Sequence, residues 1–257
     1  MKIGIFSDLH IHRHDRGHDE FIDKLIGRIN SFIGLDVLIC AGDLSHNIDD
    51  IDNFLRAIRL DVPKYFCPGN HDLWQAAADR PFCESDSPEY RYNDLLPKIA
   101  VKNNFYYVPS GIYSIGKFSL LGNIGWFSGS AGCYGEWFGR EVKDSDLEND
   151  RLAMYMALDL ERKLAAVKDN VIIVTHHVSM RSFLTAAEIS PAGGIINNLV
   201  NDIILKFAHK IRLVIFGHKH RVRRRIKIGD IECVSHPLGY PGQYQDLDDG
   251  LKVIDIF

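Results

Sequence analysis

Five short apolar runs in this chain each stop abruptly at residues able to bind metal or carry charge, and this recurrence constrains the fold more than any other feature. The runs are Lys2–Ser7, Val37–Ala41, Lys64–Cys67, Val171–Thr175 and Leu213–Phe216. Each has the length of a buried strand and lacks polar alternation, the pattern of strands covered on both faces. Between the early runs, Phe21, Leu25, Ile29 and Phe32 repeat at spacings of three and four, as do Ile51, Leu55 and Ile58. Those are faces of amphipathic helices. Strands alternating with helices imply an α/β layered fold. Lys117–Ile124 reads as a further strand, and Asp150–Val167 and Ile195–Phe207 as helices. Val222–Ile228, Ile231–His236 and Leu251–Ile256 alternate apolar with polar, and Gly229-Asp230 supplies a hairpin turn. They suit an antiparallel edge or a second sheet. Trp74–Tyr106 has no clear period and contains Pro81, Pro88 and Pro97, so it reads as an excursion beside the layers. The 257 residues read as a single domain, 1–257.

The chemistry lies where the runs end, the edge at which open α/β sheets bind ligands. The first run ends in Ser7-Asp8-Leu9-His10, the second in Gly42-Asp43, the third in Gly69-Asn70-His71-Asp72, the fourth in Thr175-His176-His177 and the fifth in Gly217-His218-Lys219-His220. Imidazole and carboxylate donors together suit borderline divalent ions such as Mn, Fe, Zn or Ni. No cysteine belongs to the set, which argues against a structural zinc site. Asp8, His10, Asp43, Asn70, His176, His218 and His220 make seven ligands, too many for one catalytic ion with an open position. They suit two ions sharing Asp43, the usual clamp for displacement at phosphorus. Any one motif is a weak signal; the ordered set, each piece following a strand-like run, is a strong one.

From Asp8 to His220 the ordered set resembles that of the calcineurin-like metallophosphoesterase superfamily, and the segment His236-Pro237-Leu238-Gly239-Tyr240-Pro241 is weakly similar to one that often follows the last motif in bacterial members. The resemblance implies a two-sheet β-sandwich flanked by helices, within the α/β (α+β) class. It implies that Asp8, His10 and His220 hold one ion and Asn70, His176 and His218 the other, with Asp43 bridging. His176 rather than His177 is taken as ligand because the family's ligand directly follows the strand. His71 would bind no metal; it would contact the phosphate or protonate the leaving oxygen, oriented by Asp72. The expected activity is hydrolysis of phosphodiesters or phosphomonoesters by a metal-bridged hydroxide.

Other features narrow the reading. The net charge of −4 gives no sign of a nucleic-acid surface, which weighs against a repair-type nuclease on the same fold. A non-catalytic binding scaffold would tend to lose ligand residues, and here the set is intact. There is no Walker or GxGxxG pattern. Five scattered cysteines without a CxxC pair fit a reducing compartment. The apolar start MKIGIF is too short for a signal peptide, and no run approaches a membrane span. A cytoplasmic protein acting on a small phosphate ester is expected, and the aromatics are compatible with a homodimer. His12, His14 and His18 either extend the site toward substrate or a further ion or, the favoured reading, form a solvated polar loop, and His177 is either a neighbour of the site or a packed ring. Arg221, Arg223, Arg225 and Lys227 read as a charged edge that discourages aggregation. Trp74, Trp126, Phe127, Tyr134, Trp137 and Phe138 read mainly as packing groups. Specificity is expected in Trp74–Tyr106 and Trp126–Asp150.

Overall fold

The computed structural model describes residues 1–13, 19–74, 86–127, 145–189, 196–243 and 250–257. The five apolar runs are strands, and they divide between two mixed sheets flanked by helices. In the first sheet β1 (Lys2–Phe6), β2 (Val37–Cys40), β3 (Lys64–Phe66) and β4 (Tyr106–Tyr107) run parallel, and β11 (Lys252–Asp255) closes the far side antiparallel to β1. The second sheet contains β5 (Tyr113–Ile115), β6 (Phe118–Gly122), β7 (Val171–Val174), β8 (Ile211–Phe216), β9 (Arg224–Ile228) and β10 (Ile231–Ser235), in the order β5-β6-β7-β8-β10-β9. Its four central strands are parallel, and β5 and β9 form antiparallel edges. The C-terminal alternating segments thus serve both expected purposes: β9 edges the second sheet and β11 edges the first.

Alternation along each strand builds three apolar layers. Ile3, Ile5, Val37 and Ile39 pack between the sheets with Ile172, Val174, Leu213 and Ile215. The opposite face of the first sheet, with Phe6, Leu38 and Cys40, meets Leu25 and Ile29 of α1 (Asp19–Asn30) and Phe54 and Leu55 of α2 (Ile48–Ala57). The outer face of the second, with Leu121, Ile173 and Val214, meets Leu160 and Leu164 of α6 (Ser145–Ala166) and Val200 and Ile204 of α7 (Asn198–Lys206). Asparagine side chains cap two of these helices: Asn47 accepts from Asp49 N, and Asn197 from Leu199 N and Val200 N.

The Trp74–Tyr106 excursion is more ordered than its lack of period suggested. Within its described part, α4 (Pro88–Tyr90), a π-helical turn at Arg91–Leu95 and α5 (Leu96–Lys102) run on without a break. Both described prolines, Pro88 and Pro97, sit near a helix start, where a missing N–H costs little. Tyr92, Leu96, Ile99 and Ala100 are buried against α2 and the first sheet. The π turn shifts the helical phase, which hides the apolar face from a search for regular spacing.

Register places the chemistry. Phe6, Cys40 and Phe66 lie side by side, so β1, β2 and β3 end at one level. Val174 pairs with Ile215 and Phe216 with Ser235, which aligns the ends of β7, β8 and β10. A parallel bridge between Ser7 and Pro237 joins the two sheets beyond these ends. Ile39 is fully buried in the layer between them. Replacing it by alanine is expected to destabilise the protein by about 2–5 kcal/mol, through lost burial and a cavity, measured as a shift in urea midpoint at unchanged slope.

Candidate metal centre

All seven expected ligands converge in the crevice above these aligned strand ends. The backbone turns sharply to bring them there. Asp8 (φ 57°), His10 (φ 44°), Asp43 (φ 58°) and His218 (φ 70°) are left-handed, a conformation non-glycine residues hold only when the surroundings enforce it. Gly42 (φ 93°) and Gly69 let the β2 and β3 turns touch. A Cβ on Gly42 would lie 2.5 Å from Gly69 N and 2.7 Å from His176 Nδ1, and one on Gly69 would overlap the Asp43 carboxylate.

Two groups of donors form around Asp43. In the first, the donor atoms of Asp8, His10, Asp43 and His220 all lie within 4.8 Å of one another. His10 Nε2 is 2.9 Å from His220 Nε2 and 3.7 Å from Asp43 Oδ2, and His220 Nε2 is 3.5 Å from Asp8 Oδ1. In the second, Asp43, His176 and His218 meet the same limit. His176 Nε2 lies 3.3 Å from Asp43 Oδ2, 3.3 Å from His218 Nδ1 and 3.1 Å from Asn70 Oδ1. One oxygen, Asp43 Oδ2, therefore faces both groups. The other, Oδ1, accepts the His71 N–H at 2.8 Å.

The donor set fits divalent cations. Imidazole nitrogens are pressed together beside two essentially fully buried carboxylates, of Asp8 and Asp43, an arrangement that calls for compensating positive charge. Distal hydrogen bonds fix the ring tautomers as metal ligation requires. His176 Nδ1 donates to Ala41 O (2.8 Å) and His220 Nδ1 to Gln243 Oε1 (2.9 Å), which turns each Nε2 inward. Burial pushes His10 and His218 down to about 3, leaving neutral rings. His176 moves the other way: burial opposes its charge, but Asp43 prevails and raises it to about 9. Its proton thus occupies, in the metal-free chain, a role a cation can take over.

His71 and Asp72 sit on α3 (Asn70–Leu73), but the expected contact between them is absent. The Asp72 carboxylate instead accepts four backbone N–H groups: Gly69 (2.8 Å), Asp43 (2.9 Å), Leu44 (2.8 Å) and Ser45 (3.0 Å). It ties the β2 turn to the β3 turn. Among the described residues nothing hydrogen-bonds His71 Nδ1. The His71 ring is held instead by Trp74, with centroids 3.8 Å apart, and by the rings of His10 and His12. Burial pushes His71 down to about 4.

Several other residues fall differently from expectation. His12 is not in a solvated loop; it stacks on His46 (3.6 Å) and His71 (5.6 Å), and its Nδ1 lies 3.4 Å from Ser45 Oγ. His14 and His18 lie outside the described residues, as do Tyr134, Trp137 and Phe138. His177 packs beside Trp126 and Phe127, both fully buried, and its ring lies 4.4 Å from that of His218. Arg223 is no edge charge: it donates to the carbonyls of Pro237, Leu238 and Gln243. Tyr240 and Gln243 were overlooked as site residues. The strand-end rule could have found them, because both follow β10, but Tyr and Gln are not among the usual metal-ligand types.

The family profile for calcineurin-like phosphoesterases matches residues 1–222. No curated protein matches the chain. Among solved structures, the phosphopantetheinyl hydrolase PptH of Mycobacterium tuberculosis is 16% identical with a TM-score of 0.67, over 94% of this chain and 90% of that one. TT1561 of Thermus thermophilus is 15% identical with a TM-score of 0.55, over 99% and 98%. A dimetal phosphatase from Danio rerio is 13% identical with a TM-score of 0.54, over 91% and 86%. At these identities the likeness is one of fold.

Two outcomes follow from the geometry. Asp72→Ala strands four buried N–H groups and is expected to cost roughly 3 kcal/mol or more, read by denaturant unfolding. His10, His71 and His218 have folded values below the ordinary 6.5. Their contribution to stability is present above pH 6.5 and is lost as pH falls toward 4 and then 3, at about 1.4 kcal/mol per pH unit for each ring. His176, raised to about 9, contributes in the opposite sense, below pH 6.5, and that share is lost as pH rises through 9. Chelated protein is therefore expected to be most stable near neutrality and to weaken steeply below pH 6, as read by urea titrations across pH.

Proposed function

Because the chain belongs to the calcineurin-like phosphoesterase family, we propose that it is a binuclear metal-dependent hydrolase of small phosphodiesters or phosphomonoesters. The observation that carries this reading is the position of Asp43 Oδ2, within 3.7 Å of His10 Nε2 and 3.3 Å of His176 Nε2. Asp8, His10 and His220 would hold one divalent ion and Asn70, His176 and His218 the other, with Asp43 common to both. The donor set accepts Mn, Fe, Zn or Ni. Two such ions would polarise the phosphate and lower the pKa of a water so that hydroxide is available near neutral pH.

The chain's own residues arrange the rest. Asp72 fixes Asp43 from behind by accepting its N–H. The carbonyl of Ala41 and the amide of Gln243 hold His176 and His220 in one tautomer each. His71, neutral through burial, presents Nε2–H to a phosphate or leaving-group oxygen, a hydrogen-bonding role at the edge of the metal cluster. The whole chain, 1–257, would serve as one catalytic domain. No helix among the described residues is long and apolar enough to cross a membrane. Free buried thiols at Cys40, Cys67 and Cys233 are consistent with a reducing, cytoplasmic setting.

The purified protein with Mn is expected to hydrolyse bis-p-nitrophenyl phosphate or p-nitrophenyl phosphate, and chelation to abolish turnover. Asp43→Asn should lower kcat/KM by at least about 10²–10³-fold and reduce bound metal by elemental analysis. His71→Asn should lower kcat roughly 10²-fold with metal content retained. Full activity in chelated Asp43→Asn protein would refute the assignment.

A further inference from the structure

The family match ends at residue 222, yet the chain returns to the metal centre once more. Beyond β10, Leu238 N donates to Ser7 O (3.0 Å) and Gly239 N to Asp8 O (2.9 Å), which threads the segment along the first ligand turn. Arg223 grips it from outside through the carbonyls of Pro237 (2.8 Å), Leu238 (2.8 Å) and Gln243 (3.2 Å). Gln243 Oε1 accepts both from His220 Nδ1 and from Tyr240 N, each at 2.9 Å. The tyrosine backbone and a candidate ligand ring are thus tied to one amide oxygen.

This framework fixes Tyr240 over the site. Its ring centroid lies 4.5 Å from those of both His10 and His220, and the Arg13 guanidinium stands 5.6 Å from it. Its hydroxyl is 3.5 Å from His71 Nε2. That separation is too long for a good mutual hydrogen bond, and it lets both groups reach a single oxygen at about 2.8 Å from each.

We propose that Tyr240 is a catalytic residue on the leaving-group side, its hydroxyl donating a hydrogen bond to the departing ester oxygen beside His71. The inference rests on the hydrolase reading above. As water oxygen bonds to phosphorus, the P–O ester bond breaks and its electron pair stays on the leaving oxygen. Tyr240 Oη–H and His71 Nε2–H stabilise that developing charge. The proton shed by the attacking water balances the one the leaving oxygen finally takes up from solvent. Such a donor is most useful when the leaving group is basic and least when it departs easily.

The test compares phenyl phosphate with p-nitrophenyl phosphate in the Mn-loaded protein. Tyr240→Phe, which deletes only the hydroxyl, is expected to lose about tenfold or more in kcat on the phenyl ester and less than about twofold on the p-nitrophenyl ester, with metal content unchanged. Equal losses on both esters, or none on the phenyl ester, would overturn the proposal. Binding of inorganic phosphate to the Mn-loaded protein, followed by calorimetry, is expected to weaken about fivefold in the same variant; unchanged affinity would count against it. If the unmodified protein turns over neither of these esters nor bis-p-nitrophenyl phosphate, the hydrolase reading fails; if it turns over the diester alone, or nothing, the phosphate titration decides whether Tyr240 contacts the anion.

Discussion

A buried carboxylate facing two imidazoles through one oxygen is the constraint around which this structure is organised. Asp43 is 1% exposed, with its backbone in the left-handed region. Neither condition is favourable alone: the charge has lost its water and the residue has left its preferred conformation. Both persist because the surroundings over-determine them. Gly42 and Gly69 leave no room for another path, Asp72 gathers four N–H groups behind the turn, and the His71 N–H satisfies the oxygen that points away from the crevice. The charge left over is what makes the place attractive to cations.

The two sheets explain why the candidate ligands recur so regularly along the chain. The first sheet supplies Asp8, His10, Asp43 and Asn70, and the second His176, His218 and His220. A site drawn from one sheet could adjust with it; one drawn from two is only as accurate as their packing. The apolar layer holding Ile5 and Ile39 against Val174 and Ile215 is therefore part of the site's geometry.

Much of this was legible in the sequence because a buried parallel strand and a metal ligand are both conspicuous. An uninterrupted run such as Val171–Thr175 has few other uses, and His176 follows it directly. What escaped reading was what depends on contacts between distant segments. The partner of Asp72 is not its neighbour His71 but the amides of a turn 27 to 29 residues away. His12, beside two histidines that looked solvated, turns inward to stack on His46 and His71. Arg223 belongs to an alternating charged run by sequence, yet its guanidinium binds main-chain carbonyls. No local period encodes these choices. The helix at Leu96–Lys102 was hidden differently, by a π turn that displaces the apolar spacing.

The antiparallel pairing of β11 with β1 gives the molecule a temporal property. Lys2 lies opposite Asp255 and Ile5 opposite Lys252, so the strand that leads into the turn of Asp8 and His10 is completed by a segment far along the sequence. A ribosome releases residues from one end only. During synthesis β1 therefore waits with one edge open while more than two hundred residues are added, and contacts spanning such separations form late. Until β11 has paired, the first turn lacks the edge support seen in the folded protein.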